Sequence, residues 1–202
     1  MANKNNEKTY EVRVITLGDS GVGKTNVIYR FTKNKFSSDY YSTIGIDTKL
    51  KSVKLDNGCE IKYKIFDTAG QERYKSISKN YIKKANSILL MYDIANEETF
   101  NNIENWMTKI KDNSGSDTCI ILVGTKCDLE NEREVSKESG EKLAKEYGFH
   151  FYETSSKENI KIKEVFYDIA EQIIEKTKVK NNFNDNNSLN LKDRKQKKKG
   201  CC

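Results

Sequence analysis

Three short stretches of this chain carry residues whose types and spacing could do chemistry. Gly18-Asp19-Ser20-Gly21-Val22-Gly23-Lys24-Thr25 fits the pattern G-x-x-x-x-G-K-[ST]. Glycines in such a run let the backbone curl until successive N–H groups face an anion. A helix opening at its end would add the positive end of a dipole. Lys24 then offers a point charge to outer phosphates and Thr25 a hydroxyl to Mg²⁺. A ligand-free glycine turn would explain the glycines but not the lysine and threonine in this register. The loop points to a nucleoside triphosphate; it names neither the base nor the fate of the bond.

The second stretch, Gly124-Thr125-Lys126-Cys127-Asp128, follows the apolar run Cys119–Val123. A carboxylate at Asp128 can accept from guanine N1–H and from its 2-amino group. Adenine offers a lone pair at N1 and lacks that amine, so it would leave a polar group unpaired. The stem of Lys126 can lie along base or ribose. Alone, T-K-x-D is a weak signal; behind a phosphate loop and a strand it gains weight. The third stretch is Asp67-Thr68-Ala69-Gly70-Gln71-Glu72. Asp67, after an apolar run, is suited to hold Mg²⁺ through water. Gly70 would let its N–H approach a terminal phosphate, and Gln71 can orient a water. The only histidine, His150, reads as the decoration of a strand end.

Such residues need a sheet whose strand ends converge. Glu11–Leu17 reads as a strand and Lys24–Thr32 as a helix. Lys49–Leu55 and Glu60–Asp67 alternate with period two around Asp56-Asn57-Gly58, a hairpin signal. Ser87–Ile94 and Cys119–Gly124 are near-continuous apolar runs suited to central parallel strands. Between them, Glu97–Lys111 places Phe100, Ile103, Trp106, Met107 and Ile110 on one helical face. Lys137–Tyr147 and Ile162–Lys178 read as further helices, with His150–Thr154 a short strand between them. This alternation predicts an α/β fold: a six-stranded, mostly parallel sheet with one antiparallel edge strand and helices on both faces.

On these motifs the chain resembles a small GTPase of the Ras superfamily, specifically of the Rab family, over about Thr9 to Glu175 and at the extreme C-terminus. Ser42-Thr43-Ile44-Gly45-Ile46-Asp47 resembles the Rab effector segment. Asp67 to Arg73 with Tyr74-Lys75-Ser76-Ile77 resembles the second switch, and Leu90-Met91-Tyr92-Asp93-Ile94 also follows the Rab pattern. Glu153-Thr154-Ser155-Ser156-Lys157 is similar to the last guanine-binding loop, where the Ser156 N–H would meet guanine O6. The secretory and exocytic Rabs are the most similar subgroup. The resemblance implies a P-loop small G domain that binds GTP and GDP with Mg²⁺. Its nucleotide contacts would be Ser20, Gly21, Val22, Gly23, Lys24, Thr25, Asn26, Phe36, Tyr40, Thr43, Gly70, Thr125, Lys126, Asp128, Ser155, Ser156 and Lys157. Metal ligation would fall to Thr25, Thr43 and Asp67, and catalysis to Gln71 and Lys24. Thr125 stands where most Rabs have Asn, as in Rho-type relatives; Thr48 and Phe66 replace a usual Phe and Trp beside the effector surface.

Phosphoryl transfer to water needs positioning and charge neutralisation. No arginine stands in an obviously suitable place, because Arg73 lies within the switch itself. The expectation is slow intrinsic hydrolysis completed by an activating protein, with segments around Phe36–Asp47 and Thr68–Ser78 relaxing when the γ-phosphate leaves.

Apolar residues make up 36% of the 202 and charged residues 33%, with no proline. The apolar runs stay intact, so this is a coding bias over an ordinary fold. No stretch reaches the roughly 20 apolar residues of a membrane span, and Met1–Lys8 lacks a signal-peptide core. Both point to the cytosol. Most of the net +6 lies in the tail, where Lys192, Arg194, Lys195, Lys197, Lys198 and Lys199 face only Asp193. A nucleic-acid binder would carry its basic stripe on the folded part. Cys59, Cys119 and Cys127 read as structural thiols. The chain ends Lys197-Lys198-Lys199-Gly200-Cys201-Cys202 without a C-a-a-X box. Rabs ending in two cysteines are geranylgeranylated on both, and this tail resembles theirs. Cys201 and Cys202 would then anchor the protein to the cytoplasmic face of intracellular membranes or the plasma membrane. The expected organisation is a disordered 1–8, a G domain over 9–178 and a disordered tail over 179–202. Implied partners are an exchange factor, an activating protein, effectors and escort or GDP-dissociation-inhibitor proteins, acting on a monomer. An ATP-using kinase or metabolic enzyme, and a nucleotide-binding scaffold without turnover, are the competing readings.

Overall fold

The structure is a computed structural model that describes residues 8–38, 45–55, 58–68 and 75–196; for 75–78 and 181–196 it describes the backbone alone. Six strands form one sheet in the order β2-β3-β1-β4-β5-β6. They are β1 (Thr9–Leu17), β2 (Ile46–Lys54), β3 (Glu60–Thr68), β4 (Ser87–Asp93), β5 (Cys119–Thr125) and β6 (His150–Thr154). All neighbours pair in parallel except β2 with β3, whose antiparallel ladder runs from Ile46 opposite Thr68 to Lys54 opposite Glu60. The antiparallel edge strand is the one expected. Asp56 and Asn57 of its hairpin turn lie outside the described residues.

Strand alternation splits the core into two. Val12 and Val14 of β1, Ile61, Tyr63 and Ile65 of β3 and Leu89 and Met91 of β4 face α1 (Lys24–Lys33) and α6 (Ile162–Gln196). Ile15, Leu17, Phe66, Ile88, Leu90 and Tyr92 face α2 (Lys75–Lys84), α4 (Ile103–Asn113) and α5 (Lys137–Tyr147). Apolar residues on both faces of β4 and β5 are why these strands read as near-continuous hydrophobic runs. On the first face Phe31 stacks on Phe166 at 3.7 Å between centroids, and the Tyr63 hydroxyl donates to the Phe166 carbonyl at 2.9 Å. A buried tyrosine brings large apolar area but needs such an acceptor.

Two helices differ from expectation. The segment expected as one helix over Glu97–Lys111 is two, α3 (Glu97–Asn101) and α4, joined at Asn102. The Asn102 N–H is shared between the carbonyls of Glu98 and Phe100, and its side chain reaches out of the helix to Asp19. The apolar face nevertheless runs through: Phe100 of α3 packs on the same cluster as the buried Ile103, Met107 and Ile110 of α4. The last helix does not stop at Lys178 but continues to Gln196. No glycine or proline occurs between Gly148 and Gly200, so nothing in the sequence forces termination. Lys176 donates to the Asp117 carbonyl and Lys180 pairs with its carboxylate at 2.6 Å, tying the helix down beyond the expected end. The helix end expected at Lys178 therefore lies inside a longer helix.

Candidate nucleotide site

The carboxyl ends of β1, β3, β5 and β6 lead into the four segments singled out in the sequence, along one edge of the sheet. In parallel α/β sheets this edge is where ligands bind. The loop after β1 is held close to the sheet. Gly18 has φ 139°, and a Cβ there would lie 2.1 Å from the Met91 carbonyl oxygen, so only glycine fits. Gly23, at φ 93°, caps α1 without a side chain, leaving the helix N-terminus open.

Lys24 is buried, and its ammonium donates to the carbonyls of Gly18 at 2.9 Å and Asp19 at 2.6 Å. Burial pushes its pKa down to about 8, against the pull of Asp67 and Asp19. A desolvated cation at an open helix N-terminus is an environment that an anion relieves. Asp67, only 2% exposed at the end of β3, has its carboxyl pKa raised, mainly by burial. A Thr25 hydrogen bond and the Lys24 charge oppose that rise. Asp67 Oδ1 is buried with no hydrogen-bond partner among the described residues. A buried carboxylate oxygen left bare beside a threonine hydroxyl is costly unless something electropositive joins it.

At the other end of the site, the loop after β5 is fixed from behind. The Thr125 hydroxyl lies 2.6 Å from the Val22 carbonyl and 2.8 Å from that of Tyr92, tying this loop to the phosphate loop. It has one proton for two acceptors. Lys126, at φ 61°, places its ammonium 2.6 Å from Asp93 Oδ2, which fixes the course of its stem. The Asp93 Oδ1 atom in turn accepts from the Ala95 N–H. Asp128 is half-buried and accepts from none of the described residues.

The loop after β6 is joined to this one, because the Cys127 N–H donates to the Thr154 carbonyl at 3.1 Å. Ser155 is buried, exchanges backbone bonds with Ile160 and accepts from the Glu158 N–H through its hydroxyl. Arg30 of α1 donates to the carbonyls of Ser156 (2.6 Å) and Lys157 (3.1 Å). Drawing those carbonyls back onto α1 sets the peptide planes of the loop. Arg133 grips both carboxylate oxygens of Glu153 at 2.7 and 3.0 Å, as well as Glu130. Neither arginine was found from the sequence. Arg30 is 126 positions from Ser156, and no local spacing announces such a pair.

The structure thus brings Lys24, Thr25 and Asp67 together, and Thr125, Lys126, Asp128, Ser155, Ser156 and Lys157 together. The Asn26 amide exchanges hydrogen bonds with the backbone of Ser37 at 3.1 and 3.4 Å. This ties the first turn of α1 to the loop bearing Phe36. Phe36 is 39% exposed. Tyr40, Thr43, Gly70, Gln71, Cys201 and Cys202 lie outside the described residues. His150 begins β6, and its Nδ1 lies 2.6 Å from Asp168 on the outer surface. Burial raises the thiol pKa of Cys119 and Cys127, which suits packing rather than reactivity.

The sequence of the Ras family matches residues 13–175. Ras-related protein Rab-8B of Homo sapiens is 45% identical over 183 residues, covering 90% of this chain and 87% of that protein. The chain is a Rab-family small GTPase. Rab-8A of Bos taurus is 48% identical over 168 residues, or 82% of this chain and 81% of the relative. Rab-8 of Diplobatis ommata is 45% identical over 181 residues, 89% and 85% of the two chains. As a Rab GTPase of the secretory type, the protein binds guanine nucleotide, hydrolyses GTP and belongs to intracellular vesicle traffic. Among the described residues no helix is long and apolar enough to cross a membrane.

Proposed function

We propose that the protein is a Mg²⁺-dependent GTP switch whose nucleotide lies across the two residue groups just described. The observation that carries this is the buried Asp67 Oδ1, without a hydrogen-bond partner among the described residues, beside Thr25 and Lys24. These residues fit a hard divalent cation, which takes oxygen ligands and keeps several of its waters. Thr25 would hold Mg²⁺ directly, Asp67 through water, and Thr43 would be the further ligand. When bound, the ion neutralises charge developing on the phosphates. The open N-terminus of α1, the loop amides and Lys24 bind the phosphates, while Gln71 orients the attacking water. Asp128 accepts from guanine N1–H and the 2-amino group, the Ser156 N–H donates to O6, and Phe36 packs on the base. Ser20, Gly21, Val22, Gly23, Asn26, Tyr40, Gly70, Thr125, Lys126, Ser155 and Lys157 complete the contacts.

No cationic side chain of this chain is assigned to the transition state, so hydrolysis is slow until an activating protein supplies one. In the protein relatives that serve as the template for this chemistry, such a group is worth about 10³–10⁵ in rate. Output is then the binding of effectors to the GTP form, reset by an exchange factor, with escort and GDP-dissociation-inhibitor proteins handling a lipidated tail. Residues 1–8 lie ahead of the G domain of 9–178, and 179–202 carry the terminal Cys201 and Cys202 to the membrane. Two prenyl chains, or one with basic residues, hold firmly where a single chain is marginal. Each nearby Lys or Arg adds about 1 kcal/mol at anionic lipid. The protein acts as a monomer at the cytoplasmic face of membranes and cycles through the cytosol; nucleic acid is not a partner. Single-turnover phosphate release from GTP tests the switch. It should need Mg²⁺ and run far below metabolic-enzyme rates; fast release without a partner refutes the timer.

A further inference from the structure

Asp19 is the only acidic side chain in the phosphate loop, 18–25. A carboxylate there is electrostatically misplaced, because the loop exists to receive anions and like charges in a partly desolvated site repel. The structure turns it away from the cradle and gives each of its oxygens its own donor. Trp106 Nε1 donates to Oδ1 at 2.8 Å, and Asn102 Nδ2 donates to Oδ2 at 2.7 Å. Both donors come from the joint between α3 and α4 and from the first turn of α4, the place where the expected single helix is broken. Asn105 Nδ2 lies 3.3 Å from Asn102 Oδ1, so the Asn102 amide is oriented with its NH₂ toward Asp19. The Lys109 ammonium sits 3.9 Å from the Trp106 ring centroid.

The other end of the same residue is also fixed. The Asp19 carbonyl accepts from Lys24 Nζ at 2.6 Å. Asp19 is therefore held at its side chain by α4 and at its backbone by the lysine that neutralises phosphate. Its conformation sets the peptide plane from which that lysine is aimed.

We propose that Asn102 and Trp106 are positioning residues of the nucleotide site. They keep the Asp19 carboxylate turned outward and the Lys24-bearing loop in its phosphate-receiving shape. This rests on the guanine-nucleotide reading above. Neither side chain touches nucleotide; both act through Asp19. The contact also makes Trp106 a reporter of the loop, because it is the only tryptophan in the chain.

The test is a double-mutant cycle on the full-length protein loaded with GDP and Mg²⁺, reading GDP release by chase with excess unlabelled GDP. Asn102→Asp sets carboxylate against carboxylate. Trp106→Phe keeps a ring and removes the N–H. Each should release GDP roughly ten-fold faster, as expected for losing a hydrogen bond to a charged group. Adding Asp19→Asn to Asn102→Asp reverses donor and acceptor while preserving both bonds. That pair should return release to within about two-fold of the parent, which a packing role would not produce. Trp106 emission in the parent should shift as EDTA strips metal and nucleotide. Release at the parental rate from folded Asn102→Asp and Trp106→Phe, no recovery in the double variant, or unchanged emission on stripping would each overturn the proposal. Failure of the parent itself to retain GDP would instead sink the nucleotide reading.

Discussion

The phosphate end and the base end of the site are organised in opposite ways. At the phosphate end the functional side chains are engaged with their own loop: Lys24 donates to Gly18 and Asp19, and Thr25 bonds to Asp67. A ligand entering there must compete with contacts already made, while the open N-terminus of α1 and, among the described residues, the buried Asp67 Oδ1 remain unmet. At the base end distant elements grip the loops instead. Arg30 draws the carbonyls of 156 and 157, Arg133 holds Glu153, and Lys126 is anchored on Asp93. Charge capture tolerates a loop that readjusts as it closes on an anion. Distinguishing two purines requires a rigid frame, because rejection depends on leaving a mismatched group unpaired.

Substitutions that hit one end and not the other probe this division. The largest effect is expected from Asp67→Ala, which removes the bare oxygen. Mg²⁺ should then sharpen GDP retention roughly 10- to 100-fold less, the scale seen when water-mediated metal partners are lost. Discrimination between guanine and adenine should survive, as competition binding with and without EDTA would record. Arg30→Ala comes next. It frees the carbonyls of 156 and 157 at a half-exposed position, so about 1–2 kcal/mol of support is lost. GDP release should accelerate on the order of ten-fold with Mg²⁺ dependence unchanged, measurable by stopped-flow.

The smallest effect is expected from Thr125→Asn. The Thr125 hydroxyl has one proton for two carbonyls, and its strand partner Thr154 has a buried, unpartnered Oγ1 among the described residues. An amide offers two N–H donors and an acceptor. Release should slow by a few-fold, with a stability gain of roughly 0.5–1 kcal/mol by thermal melting. Faster release with a lower melting temperature would mean that the pocket has no room for the amide.

What the sequence made legible was local or periodic. The phosphate loop is eight consecutive residues, and the sheet follows from β-branched apolar runs whose two-sided burial the structure reproduces. Helix periodicity, by contrast, ran across the Asn102 joint without a mark, since Phe100, Ile103 and Trp106 keep one face on both sides of it. The end of α6 differs from expectation for a related reason: apolar periodicity fades after Lys178, but no glycine or proline there ends the helix. Arg30, Arg133, Asn102 and Trp106 were silent in sequence because each meets its partner only after the sheet has assembled.

A carboxylate reading the edge of guanine is the centre of this account, and Asp128→Asn addresses it directly. Calorimetric titration of the nucleotide-free parent and variant with GTP, ATP and xanthosine triphosphate should give a parent that prefers GTP over ATP by a large factor. In the variant an amide N–H would face the guanine amine, so GTP should weaken at least 100-fold, on the order of 3 kcal/mol. Xanthosine triphosphate, with a carbonyl at that position, should gain. Equal binding of GTP and ATP by the parent, or undiminished selectivity in the variant, would contradict it.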